Sequence, residues 1–198
     1  TCEVARCGDG FVQTGVDLCD DGNQESADGC GNNCKPTVEA VALSSSAACF
    51  LRAGEVWCVG GNNNGNLGND SLQPAEIAQR VANLTDVTGI DAGDAHVCAL
   101  KTNGRVECWG RNASGQLGDG SIQQRNTPHA VLNLTDVLQV ITGAHHSCAR
   151  RNDGRVLCWG FNDFGALGDG SVASAVEPSG GKSARETGTG FRRARPRA

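Results

Sequence analysis

Short runs of β-branched and aromatic residues recur along the chain, bounded by glycine-rich polar turns, and no stretch carries a convincing helical spacing. "VECWG" from Val106 and "VLCWG" from Val156 suit strands by composition. Asn103-Gly104 and Asp153-Gly154 are hairpin signals, because glycine accepts the positive φ of a tight turn. The segment "GQLGDGS" from Gly115 is too rich in glycine for a strand and reads as an ordered loop.

Laid against itself, the chain repeats with a period of 50 residues, marked by Cys58, Cys108 and Cys158. Trp109 recurs as Trp159, His96 as His146, and "NLTDV" starts at both Asn83 and Asn133. "GNLGNDS" from Gly65 becomes "GQLGDGS" and then "GALGDGS" from Gly165. A β-rich repeat of this length implies an all-β chain of sheets arrayed around an axis.

Register explains the cysteines. A loop at Thr102–Gly104 pairs Lys101 with Arg105, and counting outward sets Cys98 opposite Cys108. Asn152–Gly154 does the same for Cys148 and Cys158. In the first repeat the turn is one residue shorter, at Ala53-Gly54, yet Cys49 still falls opposite Cys58. A register kept through a loop deletion is what a cross-strand disulfide requires, and opposed residues at a non-hydrogen-bonded site lie within disulfide reach. Each ring would contribute roughly 2–3 kcal/mol. The bland alternative, reduced cysteines packed as small hydrophobes, leaves the compensated register unexplained.

Trp109 and Trp159 fall on the hairpin face opposite the cysteines, where a neighbouring sheet would stack, and period-two alternation puts Trp57 on that face too. His96 and His146 precede a cysteine by two residues, which invites a zinc reading. The first repeat has Ala47 there, however, and each unit offers at most one His at that place beside two Cys, so a structural hydrogen bond is the preferred role.

The stretch "GAHHSCARRNDGRVLCWGFNDFGALGDGS" resembles the regulator of chromosome condensation repeat, with its His, Gly-Arg-Val, Trp-Gly and Gly-x-Leu-Gly landmarks. The resemblance covers residues 38–178 and implies four-stranded antiparallel blades, the family fold being a seven-bladed propeller, so an all-β partial propeller of about three blades is expected here. The paired cysteines depart from the nuclear members and look like an exported bacterial branch. Upstream, "CGDGFVQTGVDLCDDGNQESADGCGNNC" is similar to the myxobacterial cysteine-rich repeat. Residues 1–37 then form a small module in which Cys7, Cys19, Cys30 and Cys34 make two disulfides. By that resemblance Cys2 is the last cysteine of a preceding copy. Asp9, Asp20, Asp21, Asn23 and Asp28 gather hard oxygen ligands as a calcium site does. No bidentate Glu sits at a matching offset, so the turn-forming role of Asp and Asn is preferred, with calcium the one cofactor that has candidate ligands.

Composition sharpens this. Eleven cysteines, 28 glycines, five Phe, three Trp and no Tyr or Met make a lean core that depends on cross-links, and regular cysteines point to an oxidising compartment: extracellular, cell surface or periplasmic. No apolar run of membrane-spanning length and no signal peptide is visible, so the chain is expected to be a fragment or mature piece of an exported protein. The net charge of −5 divides unevenly, as Ser179 onward carries six basic residues against Glu186. The body is thus strongly acidic, which makes nucleic acid an unlikely partner. Residues 179–198 read as a disordered basic tail.

No nucleophile elbow, phosphate loop or HExxH motif is present, so the expectation is not an enzyme but a binding scaffold. Its variable stretches, "NDSLQPAEIAQRVA" from Asn69 and "DGSIQQRNTPHAVL" from Asp119, would serve as loops for a protein or glycan partner. The resemblance also implies guanine-nucleotide exchange on a small GTPase as an alternative, although no exchange residues can be placed. A structural or adhesive spacer array is a third reading. Three blades leave open sheet edges, which missing blades or another chain must cover.

Overall fold

The computed structural model describes residues 38–180, all in strands, turns and loops. Three four-stranded antiparallel sheets follow one another along the chain. Blade 1 comprises β1 (Val38–Leu43), β2 (Ala47–Arg52), β3 (Glu55–Gly60) and β4 (Ala75–Arg80). Blade 2 comprises β5 (Val87–Ala92), β6 (His96–Lys101), β7 (Val106–Gly110) and β8 (Arg125–Ala130). Blade 3 comprises β9 (Val137–Thr142), β10 (His146–Arg151), β11 (Val156–Gly160) and β12 (Ala175–Gly180). Each sheet keeps sequence order from first strand to fourth, the arrangement of a partial propeller.

The central hairpins have the register the turn residues dictate. Lys101 donates its N–H to Arg105 O at 2.9 Å, and Gly104 closes the turn at a φ of 72°. Cys98 therefore faces Cys108 across the ladder, as Cys49 faces Cys58 and Cys148 faces Cys158. All three pairs are disulfides, each with a Cα–Cα distance of 4.1 Å. Cys7, Cys19, Cys30 and Cys34, Cys2 and the proposed calcium ligands lie outside the described residues.

Alternation gives each blade two working faces. The disulfide face of blade 1, with Cys49, Leu51, Val56, Cys58 and Leu67, packs on Val97, Ala99 and Trp109 of blade 2. The disulfide face of blade 2 packs in the same way on Ala149 and Trp159 of blade 3. Both tryptophans are fully buried, and each anchors the junction through its ring nitrogen. Trp109 Nε1 donates to Asn66 O at 3.0 Å, and Trp159 Nε1 donates to Gln116 O at 2.9 Å. Backbone bonds tie neighbouring loops together as well: Ser45 N–H donates to Asp94 O, and Asp94 N–H to Ala144 O, both at 3.1 Å.

Two sequence expectations need correction. Trp57 does lie on the tryptophan face, in register with Phe50, but it is only half-buried, because no other described blade stacks on that side of blade 1. The repeat pattern also runs past Pro178: Ser179 pairs with Cys158 and Gly180 with Leu157, so β12 takes the first two residues assigned to the tail. Weakly apolar "AVEPSG" hides its strand character, because an outermost strand is paired on one side only.

Candidate binding surface

The loops after the third strand, residues 61–74, 111–124 and 161–174, are each held by one buried asparagine. Asn62, Asn112 and Asn162 accept the N–H of Leu67, Leu117 and Leu167 at 2.9, 3.0 and 2.9 Å. Their Nδ2 groups donate to the carbonyls of Ser71, Ser121 and Ser171 at 2.9, 3.1 and 3.1 Å. One amide thus pins both legs of the loop, and the loop leucines are buried beneath it. Blade 2 adds an ion pair, in which Arg125 Nε donates to Asp119 Oδ2 at 2.8 Å. Burial works against ionisation of Asp119, but hydrogen bonds from Ser121 and Arg125 outweigh it and hold the carboxyl below its ordinary range.

Fixing the loop aims one position outward. Leu72, Ile122 and Val172 occupy equivalent places and are 47%, 59% and 66% exposed. A loop built to satisfy its own polar groups gains nothing from three exposed aliphatics in one place, so the row is available for contact. Beside Leu72 lies a shallow groove of about 430 Å³, lined by Asn69, Gln73, Pro74, Glu76, Ile77 and Gln79. Ile77 is 78% exposed. The outer strands differ there: β8 carries Pro128 and β12 Pro178, where β4 has Ala78. Proline blunts an edge against further pairing.

The stretches expected to be variable loops turn out to be half strand, since β4 and β8 lie within them. Polar "RNTPHA" gives little strand signal, so only the adjoining loop is legible in sequence. His96 is fully buried, and its Nε2 lies 2.9 Å from Ser147 Oγ, which in turn donates to Gln116 O at 3.0 Å. His146 packs its ring over Gly143 as His96 does over Gly93, but is only half-buried. Among the described residues no three His, Cys, Asp or Glu side chains are placed to hold a metal ion. The asparagine staples were missed from sequence, although their recurrence at the repeat spacing marks them. Ser147 was missed too; its signal is that the repeat places Val97 there.

Residues 53–100, 103–150 and 153–186 each match the regulator of chromosome condensation (RCC1) repeat. The chain belongs to that family. A second RCC1 repeat pattern matches residues 87–116 and 137–166. The first two RCC1 matches run from hairpin tip to hairpin tip, so each of them supplies the outer half of one blade and the inner half of the next. No protein of curated function matches the chain in sequence. Among solved structures, Prp20p from Saccharomyces cerevisiae is similar with a TM-score of 0.66 at 21% identity, over 76% of this chain and 39% of its own. Human WBSCR16 is similar with a TM-score of 0.64 at 22% identity, over 73% of this chain and 39% of its own. At such identities the likeness is one of fold, and this chain spans well under half the length of either protein.

Proposed function

We propose that the chain is a non-enzymatic binding scaffold of an exported protein, which engages a protein partner through the row formed by Leu72, Ile122 and Val172. The observation that carries this reading is the repetition itself: three stapled loops, each presenting one exposed aliphatic at the same place. Aliphatic contacts favour a protein over a glycan, whose hydroxyls need polar partners. The Prp20p structure was described together with its binding to Gsp1p and histones, which fits the fold's use as a scaffold. The cross-strand disulfides support an oxidising compartment. Among the described residues no helix is long and apolar enough to cross a membrane.

The test is capture of partners from the surface fraction of the native organism by three forms of the chain. The wild type and a form lacking residues 181–198 should retain the same partner, with little sensitivity to salt. The Leu72→Ser/Ile122→Ser/Val172→Ser variant should lose it. Retention by the triple variant, or loss on removing the tail with steep salt dependence, would overturn the proposal. Accelerated nucleotide release from a small GTPase would instead favour the exchange-factor reading.

A further inference from the structure

A chain of hydrogen bonds crosses from blade 2 to blade 3 and ends on the loop that carries Ile122. His96 Nε2 donates to Ser147 Oγ at 2.9 Å, and Ser147 Oγ donates to Gln116 O at 3.0 Å. Trp159 Nε1 donates to the same carbonyl at 2.9 Å. Gln116 and Ile122 belong to one stapled loop, residues 111–124, whose two legs are pinned by Asn112. The loop therefore moves as one body, and Gln116 O sets where Ile122 stands relative to Val172. On the other leg Gly120 N–H donates to Val176 O at 3.0 Å, which gives the loop a pivot on blade 3.

The chain starts from a ring that cannot take up a second proton in place. His96, Ser147 and Gln116 are all buried. His96 Nδ1 has no hydrogen-bond partner, and Gly93 walls that side of the ring, since a Cβ there would stand 2.7 Å from Nδ1. Burial opposes a positive charge most strongly, His145 and His146 add to it, and only Asp94 favours the cation. The imidazolium therefore forms only when the ring leaves its site for water.

The neighbouring junction is a control within the same molecule. Where blades 2 and 3 meet through His96 and Ser147, blades 1 and 2 have Ala47 and Val97, neither of which ionises. Trp109 Nε1 makes the matching bond there, to Asn66 O at 3.0 Å.

We propose that His96 is an acid-operated latch on the binding row: when its imidazole leaves the junction to be protonated, the Ile122 loop swings away from blade 3 and a partner held across Leu72, Ile122 and Val172 is released. This regulation rests on the row being the binding site. A group with a pKa of 6.5 in water and about 4 in the closed junction supports closure fully above pH 6.5 and loses that support towards pH 4. The open population should rise by about 30-fold between neutral pH and pH 5.

The latch is read without a partner, through the two indole N–H groups of the disulfide-intact full chain. Hydrogen-exchange protection of Trp159 and Trp109 is compared at pH 7 and pH 5. Both indoles share the intrinsic pH dependence, so their ratio reports the junctions. Trp159 should lose about 30-fold relative to Trp109. His96→Gln keeps a donor to Ser147 without a titratable ring and should hold the ratio constant. An unchanged wild-type ratio overturns the latch, as does a change that persists in His96→Gln. Should that variant not fold, His145→Gln/His146→Gln decides, because both of those rings are only half-buried. The pH response should survive in it, and its loss would assign the response to those two rings and overturn the proposal. Release is read separately. A partner captured at pH 7 should elute at pH 5 from the wild type and stay on His96→Gln. Retention by the wild type at pH 5, or equal release by both forms, overturns the regulation. Failure to capture any partner through the row would instead overturn the binding reading, and the indole ratio would still decide the latch.

Discussion

His96 shows how much a single residue can couple blades. Ser147 Oγ spends its proton on Gln116 O, so His96 Nε2 is the donor to Ser147, and Nδ1 is left without a partner in a fully buried site. A second proton on Nδ1 would find no acceptor. Burial, reinforced by His145 and His146 and only partly opposed by Asp94, lowers its pKa from 6.5 to about 4. The unfolded chain therefore binds the extra proton first as pH falls. The His96 contribution is intact above pH 6.5 and is lost progressively between pH 6.5 and 4. It amounts to about 3 kcal/mol over that window. Urea unfolding at a series of pH values should show His96→Gln losing less stability than the wild type across that window. A parallel decline in both proteins would mean the imidazole does not titrate there. The sequence pointed to a structural hydrogen bond for this histidine, because the first repeat has Ala47 at the same place. Its partner was hidden, since Ser147 comes from the next repeat and replaces a valine.

At the scale of elements, the hairpins were legible and the outer strands were not. Turn residues and cysteine spacing specify β2–β3, β6–β7 and β10–β11 locally, so the register could be counted from sequence. β4, β8 and β12 are specified by one neighbouring strand and a bulge, with no apolar alternation to announce them. The stapled loops between them depend on single amides. Asn112→Ala would leave the buried Leu117 N–H and the Ser121 carbonyl without their partner. The expected loss is about 2–4 kcal/mol, one to two unmade buried hydrogen bonds. Thermal or urea unfolding measures it, and a near-neutral substitution would show that water replaces the amide. Asn112→Asp should also destabilise, since it forfeits the bonds donated to Asp119 and Ser121 and sets a second carboxylate beside Asp119.

Among the described residues each blade packs on its neighbour in sequence, blade 1 on blade 2 and blade 2 on blade 3, so stability is distributed by position. Blade 2 is covered on both faces, whereas blades 1 and 3 each keep one face open among the described residues. Native-state hydrogen exchange should find the slowest amides in β6 and β7, with β2–β3 and β10–β11 exchanging through smaller openings. Uniform protection across the three blades would mean that the array unfolds as one unit. The repeat foretold this layered order. It did not foretell that Val156 is exposed where Val106 is buried, because the two blades carry the same residue there and only the packing of a neighbour separates them.

The disulfide pattern has a consequence for the order of biosynthesis. Each described cysteine is bonded to the nearest described cysteine in sequence, nine or ten residues away. The gap from one pair to the next, Cys58 to Cys98 or Cys108 to Cys148, is four times as long. Closing that longer loop is disfavoured by about 1 kcal/mol relative to the short one. As the chain emerges from its N-terminus, each of these first-formed thiols meets its native partner before any later rival has been made. Oxidation can therefore proceed hairpin by hairpin along the growing chain, with little for an isomerase to correct.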